Sequence, residues 1–175
     1  MSANTAAGPP GRPIPGCLPR AYVDLVRSGY FDRDGVIREQ YLRGITQDLV
    51  RRFQPGQQTG LTSSQLRNFY NNLKTAQTAY KNAVSSQEGD RQTAGQVLLR
   101  RVQTMESLIY YAKGKEDNTA IPDAFLHFIL ENVNACKTPK DVNEGFFPHF
   151  QAVLGFFKYY EQEQAQRYRS SNPRR

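Results

Sequence analysis

Residues 62–80 read TSSQLRNFYNNLKTAQTAY, and the spacing inside this stretch decides the fold class. Leu66, Phe69, Leu73, Ala76 and Tyr80 recur in steps of three and four, the repeat that gathers side chains onto one face of an α-helix. Thr62 and Gln65 stand ahead of them at the spacing of a capping box. In that motif the hydroxyl and the amide each satisfy a backbone N–H that the first helical turn leaves without a partner. With the apolar stripe turned inward, Arg67, Asn71, Lys74, Thr78 and Lys81 fall together on another face. Every one of them can donate a hydrogen bond, and no acidic residue interrupts the row.

The same helical period extends in both directions, with turn signals between segments. Upstream, Arg20 to Ser28 reads as a short helix ended by Gly29. A second helix is expected from Val36 to Phe53, burying Leu42, Ile45, Leu49 and Phe53 before Gln54-Pro55-Gly56 stops it. Downstream, a helix from about Asp90 to Ala112 places Leu98, Val102, Met105, Ile109 and Ala112 along one seam. Pro122 opens the fifth helix, with Phe125, Phe128, Ile129 and Val133 as its stripe. Thr138-Pro139 opens a sixth through Val142, Phe146, Phe150, Val153, Phe157 and Tyr160, which Pro148 must kink or divide. Gly44, Gly95 and Gly155 fall inside these helices, where each costs about 1 kcal/mol relative to alanine; close helix crossings would account for them.

These segments make an all-α protein, a compact bundle of five to six helices with disordered N- and C-terminal tails. A single helical domain is expected over residues 20–165. Residues 1–19, rich in proline and glycine, read as a disordered tail, and residues 166–175, with Arg167, Arg169, Arg174 and Arg175, as a basic one.

Charge points to the partner. The 175 residues carry 23 Lys and Arg against 16 Asp and Glu, a net charge of +7. The excess concentrates in residues 61–115, between the two ends of the chain. A basic surface raises the local concentration of polyanions, of which nucleic acid is the commonest. Arg100 and Arg101 lie on the helix after the basic row, and Lys113 and Lys115 at its end. An antiparallel pair would gather these cations with Arg67, Lys74 and Lys81 to hold sugar–phosphate backbone rather than read bases. Arg67 and Lys74 stand about 10.5 Å apart along the axis, a span of about two nucleotides.

Parts for catalysis are lacking. His127 and His149 have no second ligand at metal-binding spacing and read as structural, so no metal and no cofactor are expected. Lys113-Gly114-Lys115 lacks the remaining residues of a P-loop. Asp32-Arg33-Asp34-Gly35 opens like a calcium loop without its later ligands, and reads as a tight turn. Cys17 and Cys136 form neither a disulfide framework nor a metal spacing, which fits a reduced cytoplasm. No run approaches the ~20 apolar residues of a membrane span.

Three stretches then suggest a family: GYFDRDGVIR at residues 29–38, LTSSQLRNFY at 61–70 and MESLIYYAKGK at 105–115. In this order they resemble the small subunit of type III-A CRISPR effector complexes, the Csm family, over about residues 22–160. The resemblance implies a compact, non-catalytic helical protein of the cytoplasm, present in several copies stacked head to tail along the groove for guide and target RNA. Its partners would be that RNA, the backbone-forming and large subunits and further copies of itself, with cleavage belonging to the backbone-forming subunit. By the same resemblance Gln65, Arg67, Asn68, Asn71 and Lys74 would face RNA, with Lys113 and Lys115 at the second motif. The rival is a structural helical adaptor whose basic face docks acidic protein partners without meeting nucleic acid. A helix-turn-helix DNA binder ranks behind both, because the connections are longer than its three-to-four-residue turn.

Overall fold

The computed structural model describes residues 17–57, 60–86, 90–114 and 121–171. Among the described residues six α-helices form: α1 (Arg20–Arg27), α2 (Gly44–Arg52), α3 (Ser63–Ser85), α4 (Arg91–Lys113), α5 (Asp123–Ala135) and α6 (Phe147–Ser171). The all-α bundle expected from the periodicity is the fold observed.

Helix α5 is the axle. Ala124, Phe125, Leu126, His127, Phe128, Ile129, Asn132 and Val133 are all buried, the pattern of a helix enclosed on most sides. Helices α1 and α4 pack against it, α3 pairs with α4, and α6 lies across α2 and α3. Phe128 has no exposed surface and meets the rings of Tyr22, Phe53, Phe125, Phe146, His149 and Phe150 at centroid distances of 5.4–6.3 Å. Such offset and edge-on contacts add to the area that each ring buries.

A polar chain runs through this aromatic core. His149 Nδ1 donates to the Tyr41 carbonyl at 2.8 Å, and Nε2 accepts from the Tyr22 hydroxyl at 3.0 Å. Asn132 Nδ2 donates to Tyr22 at 2.6 Å, and its Oδ1 accepts from Tyr30 at 2.9 Å. Each polar atom of this chain therefore has a partner, which offsets the cost of removing it from water. Burial holds the His149 imidazole down at about 4, with the Tyr41 carbonyl opposing, so the ring is neutral. Burial likewise pushes the Cys136 thiol up to about 12 and raises the Cys17 thiol, and neither is an activated nucleophile.

Helix α3 begins as its sequence dictates. Thr62 Oγ1 accepts from the Gln65 N–H at 3.2 Å, and Gln65 Oε1 accepts from the Thr62 N–H at 2.9 Å. Replacing Thr62 with alanine is expected to lower the unfolding free energy by about 1 kcal/mol, with serine retaining most of it. Urea melts of the two variants check this.

The helix foreseen over Val36 to Phe53 starts only at Gly44, because residues 30–43 go into a turn closed by Asp32, an antiparallel bridge between Phe31 and Ile37, and a 3-10 turn at Glu39–Tyr41. Leu42 therefore leaves the α2 register and is exposed, and Ile45 is half-buried. Pro148 does not divide the last helix. The chain widens into a π-helical turn at Asp141–Phe146 and continues through Phe147 at φ −63°, ψ −51°, placing the missing proline N–H where the pitch already changes. The same turn sets Gly145 under Tyr30, whose ring would lie 2.5 Å from a Cβ.

Of the three helical glycines, Gly95 does mark a close approach, since a Cβ there would come within 2.8 Å of Pro139. Gly44 and Gly155 have nothing within 4 Å of that position. Leu18 is buried and Cys17 packs against the same core, and α6 runs to Ser171. Every residue from Gln164 to Ser171 is exposed. Residues 1–16 and 172–175 lie outside the described residues.

Candidate nucleic-acid interface

The buried face of α3, with Leu66, Phe69, Leu73 and Ala76, fixes where its basic row points. Arg67, Asn68, Asn71 and Lys74 are exposed, as are Thr78 and Lys81 further along. Helix α3 contains no Asp or Glu, and Glu106 is the single acid within α4. Arg100 and Arg101 on α4 are also exposed. The outer surface of this helix pair thus carries an excess of fixed positive charge on two rigid rods.

Helix α3 lies between α4 and α6, so its cations divide between two flanks. On the α4 flank, Ala76, Ala79 and Ala83 meet Ala94 and Val97 in a groove that Arg101 borders. On the α6 flank, Ser63, Arg67 and Tyr70 face Gln151, Gly155 and Lys158 across a groove of about 400 Å³. Lys74, seven residues beyond Arg67, stays on Arg67's side by the helical repeat. The cations of α3 and α4 therefore do not form one ledge. Arg67 and Arg101 occupy opposite sides of α3, with Asn68, Asn71, Thr75 and Thr78 exposed along the rod.

Two of the expected site residues are engaged in the fold. Gln65 gives its side-chain oxygen to the capping box, accepting from both the N–H and the hydroxyl of Thr62. Lys113 donates to the Ile121 carbonyl at 2.6 Å and pairs with Asp123 at 2.9 Å, joining the end of α4 to the start of α5. Lys115 lies outside the described residues.

The family model Csm2 Type III-A matches residues 45–163, nearly all of α2, the whole of α3 to α5 and most of α6. The chain belongs to the Csm2 type III-A family, the small subunits of type III-A CRISPR Csm complexes. No curated protein and no solved structure matches it. Every candidate residue from Gln65 to Lys115 falls within the Csm2 match.

The Csm2 chain adds a residue that sequence reasoning missed. Lys158 of α6 lines the groove beside Arg67 and is held there by Glu161 at 2.7 Å. Glu161 also accepts from the Ser63 hydroxyl at 2.7 and 2.8 Å. Partial burial would raise its pKa, but the bonds from Lys158 and Ser63 and the charges of Lys158 and Arg67 prevail and lower it. The Lys158–Glu161 spacing was legible; that α6 would lie against α3 was not. Among the described residues, no helix is long and apolar enough to cross a membrane, and no three ligating side chains gather as a metal site.

Proposed function

We propose that this Csm2 family member is a non-catalytic RNA-binding subunit that holds guide and target RNA along the exposed face of α3. It works in the cytoplasm as one helical domain, within a ribonucleoprotein of antiviral defence. The observation that carries the proposal is the acid-free basic row of α3, exposed over its length and held by a capped helix. Arg67 and Lys74 are the principal phosphate contacts, Asn68 and Asn71 supply neutral donors, and Arg100 and Arg101 add charge from α4. Gln65 and Lys113 support the interface through the fold. Such contacts position a strand without reading its sequence.

Stacking against further copies and against the backbone-forming and large subunits is the second half of the proposal. A groove of about 740 Å³ between α2 and α6 supports it, lined by Leu42, Arg51, Phe156, Tyr159 and Tyr160. Tyr159 is 60% exposed, and Arg51 sits 5.1 Å from the centroid of the Tyr160 ring. Exposed tyrosine and arginine beside aliphatic side chains are the composition of protein-interface hot spots.

Replacing Arg67 and Lys74 together with alanine tests the RNA reading in the assembled complex. Affinity for RNA is expected to fall, and the slope of log affinity against log salt to flatten by about 0.7 for each phosphate that is no longer neutralised. An adaptor that docks acidic proteins instead would show unchanged RNA affinity and slope in a folded, assembled variant.

A further inference from the structure

Gly155 is unexplained by the fold. It sits in the interior of α6, where glycine weakens a helix relative to alanine, yet a Cβ at this position would touch nothing within 4 Å. Close packing among the described residues is therefore not what keeps the position bare. Gly155 lines both grooves that border α6, the α2–α6 groove described above and the α3–α6 groove, where Arg67, Tyr70, Gln151 and Lys158 surround it. Tyr70 is braced from behind, stacked on Phe147 at 5.6 Å and edge-on to Phe150 at 5.9 Å. Gln151 Nε2 lies 3.4 Å from the Tyr70 hydroxyl. The groove's volume of about 400 Å³ is in the range of small-ligand sites.

The charge balance of this groove suits one phosphodiester. Arg67 and Lys158 are positive and Glu161, bonded to Lys158 and Ser63, is negative, which leaves a single net positive charge. A fixed aromatic ring, an amide, two cations and a bare helical floor are the elements that hold one unstacked nucleotide.

We infer that the α3–α6 groove is a seat for a single unpaired nucleotide of the RNA strand, its base laid over Gly155 beside Tyr70 and its phosphate between Arg67 and Lys158. This rests on the RNA-binding reading above and adds a base contact and a residue, Lys158, to it. The seat is tolerant of base identity, because a ring face and an amide accept any base plane.

The test uses the assembled complex and target RNA carrying one photoreactive thiouridine, moved along the strand. In the unaltered complex at least one position is expected to crosslink within residues 63–74 or 151–158. Gly155→Leu fills the floor. It should abolish that crosslink and weaken RNA binding by about 5- to 10-fold, with the salt slope unchanged. Lys158→Gln should flatten the slope by about 0.7 for each engaged copy while leaving the crosslink in place. Unchanged crosslinking and affinity in Gly155→Leu would overturn the seat, and the RNA-binding reading would stand if Arg67→Ala/Lys74→Ala still flattened the slope. If neither variant changed RNA binding and no crosslink formed on this chain, both would fail. Exclusion of Gly155→Leu from the complex, read from its mass, would overturn the seat in favour of a protein contact on α6.

Discussion

Replacing Phe128 with alanine should destabilise the protein by about 3–5 kcal/mol, more than any other single truncation in this core. Its ring has no exposed surface and lies where α1, α2, α5 and the start of α6 converge, against six other rings. Truncation removes the transfer free energy of the ring and leaves a cavity whose walls are fixed by two helices and a hydrogen-bonded chain. Those walls cannot collapse without breaking Tyr22–His149 or Tyr22–Asn132. Leucine, which refills part of the volume, should cost less. Urea unfolding followed by circular dichroism measures both, and a loss below about 1 kcal/mol for alanine would mean that the aromatic centre is not the core of the fold.

Acid should act through His149. In the unfolded chain the imidazole takes up a proton near its ordinary pKa of 6.5, but in the folded protein only near 4. The unfolded state therefore binds more protons between those values, and stability falls as the pH drops through that window. It is constant above the unfolded pKa, and the loss saturates below the folded one. The interval corresponds to about 3 kcal/mol. Gln in place of His149 removes the titrating group, so stability between about pH 6.5 and 4.5 should become nearly level whatever its absolute value. A variant with the same slope as the parent would assign the pH dependence to other groups.

What the sequence disclosed was local, and what it concealed was the meeting of distant segments. The Thr62–Gln65 cap, the inward stripes of α3, α4 and α6, and the exposure of Arg67 and Lys74 all follow from spacing of three and four residues, which a chain states directly. Residues 36–43 misled because apolar spacing resembling a helix was overridden by the Asp32 turn and the Phe31–Ile37 bridge. Lys113 misled for a different reason. Its helix and register were as expected, but its partners Ile121 and Asp123 lie on the far side of a connection. Lys158 was missed in the same way, since its place beside Arg67 depends on α6 crossing α3. The buried His149–Tyr22–Asn132–Tyr30 chain joins residues more than a hundred positions apart, and no local pattern announces it.

Whether RNA lies on α3 is decided by the position of the strand in the complete effector complex, determined by electron cryomicroscopy. Backbone phosphates are expected within hydrogen-bond reach of Arg67 and Lys74 on the exposed face of that helix. RNA lying elsewhere, with the same face covered by another protein subunit, would contradict an RNA-holding role for this chain.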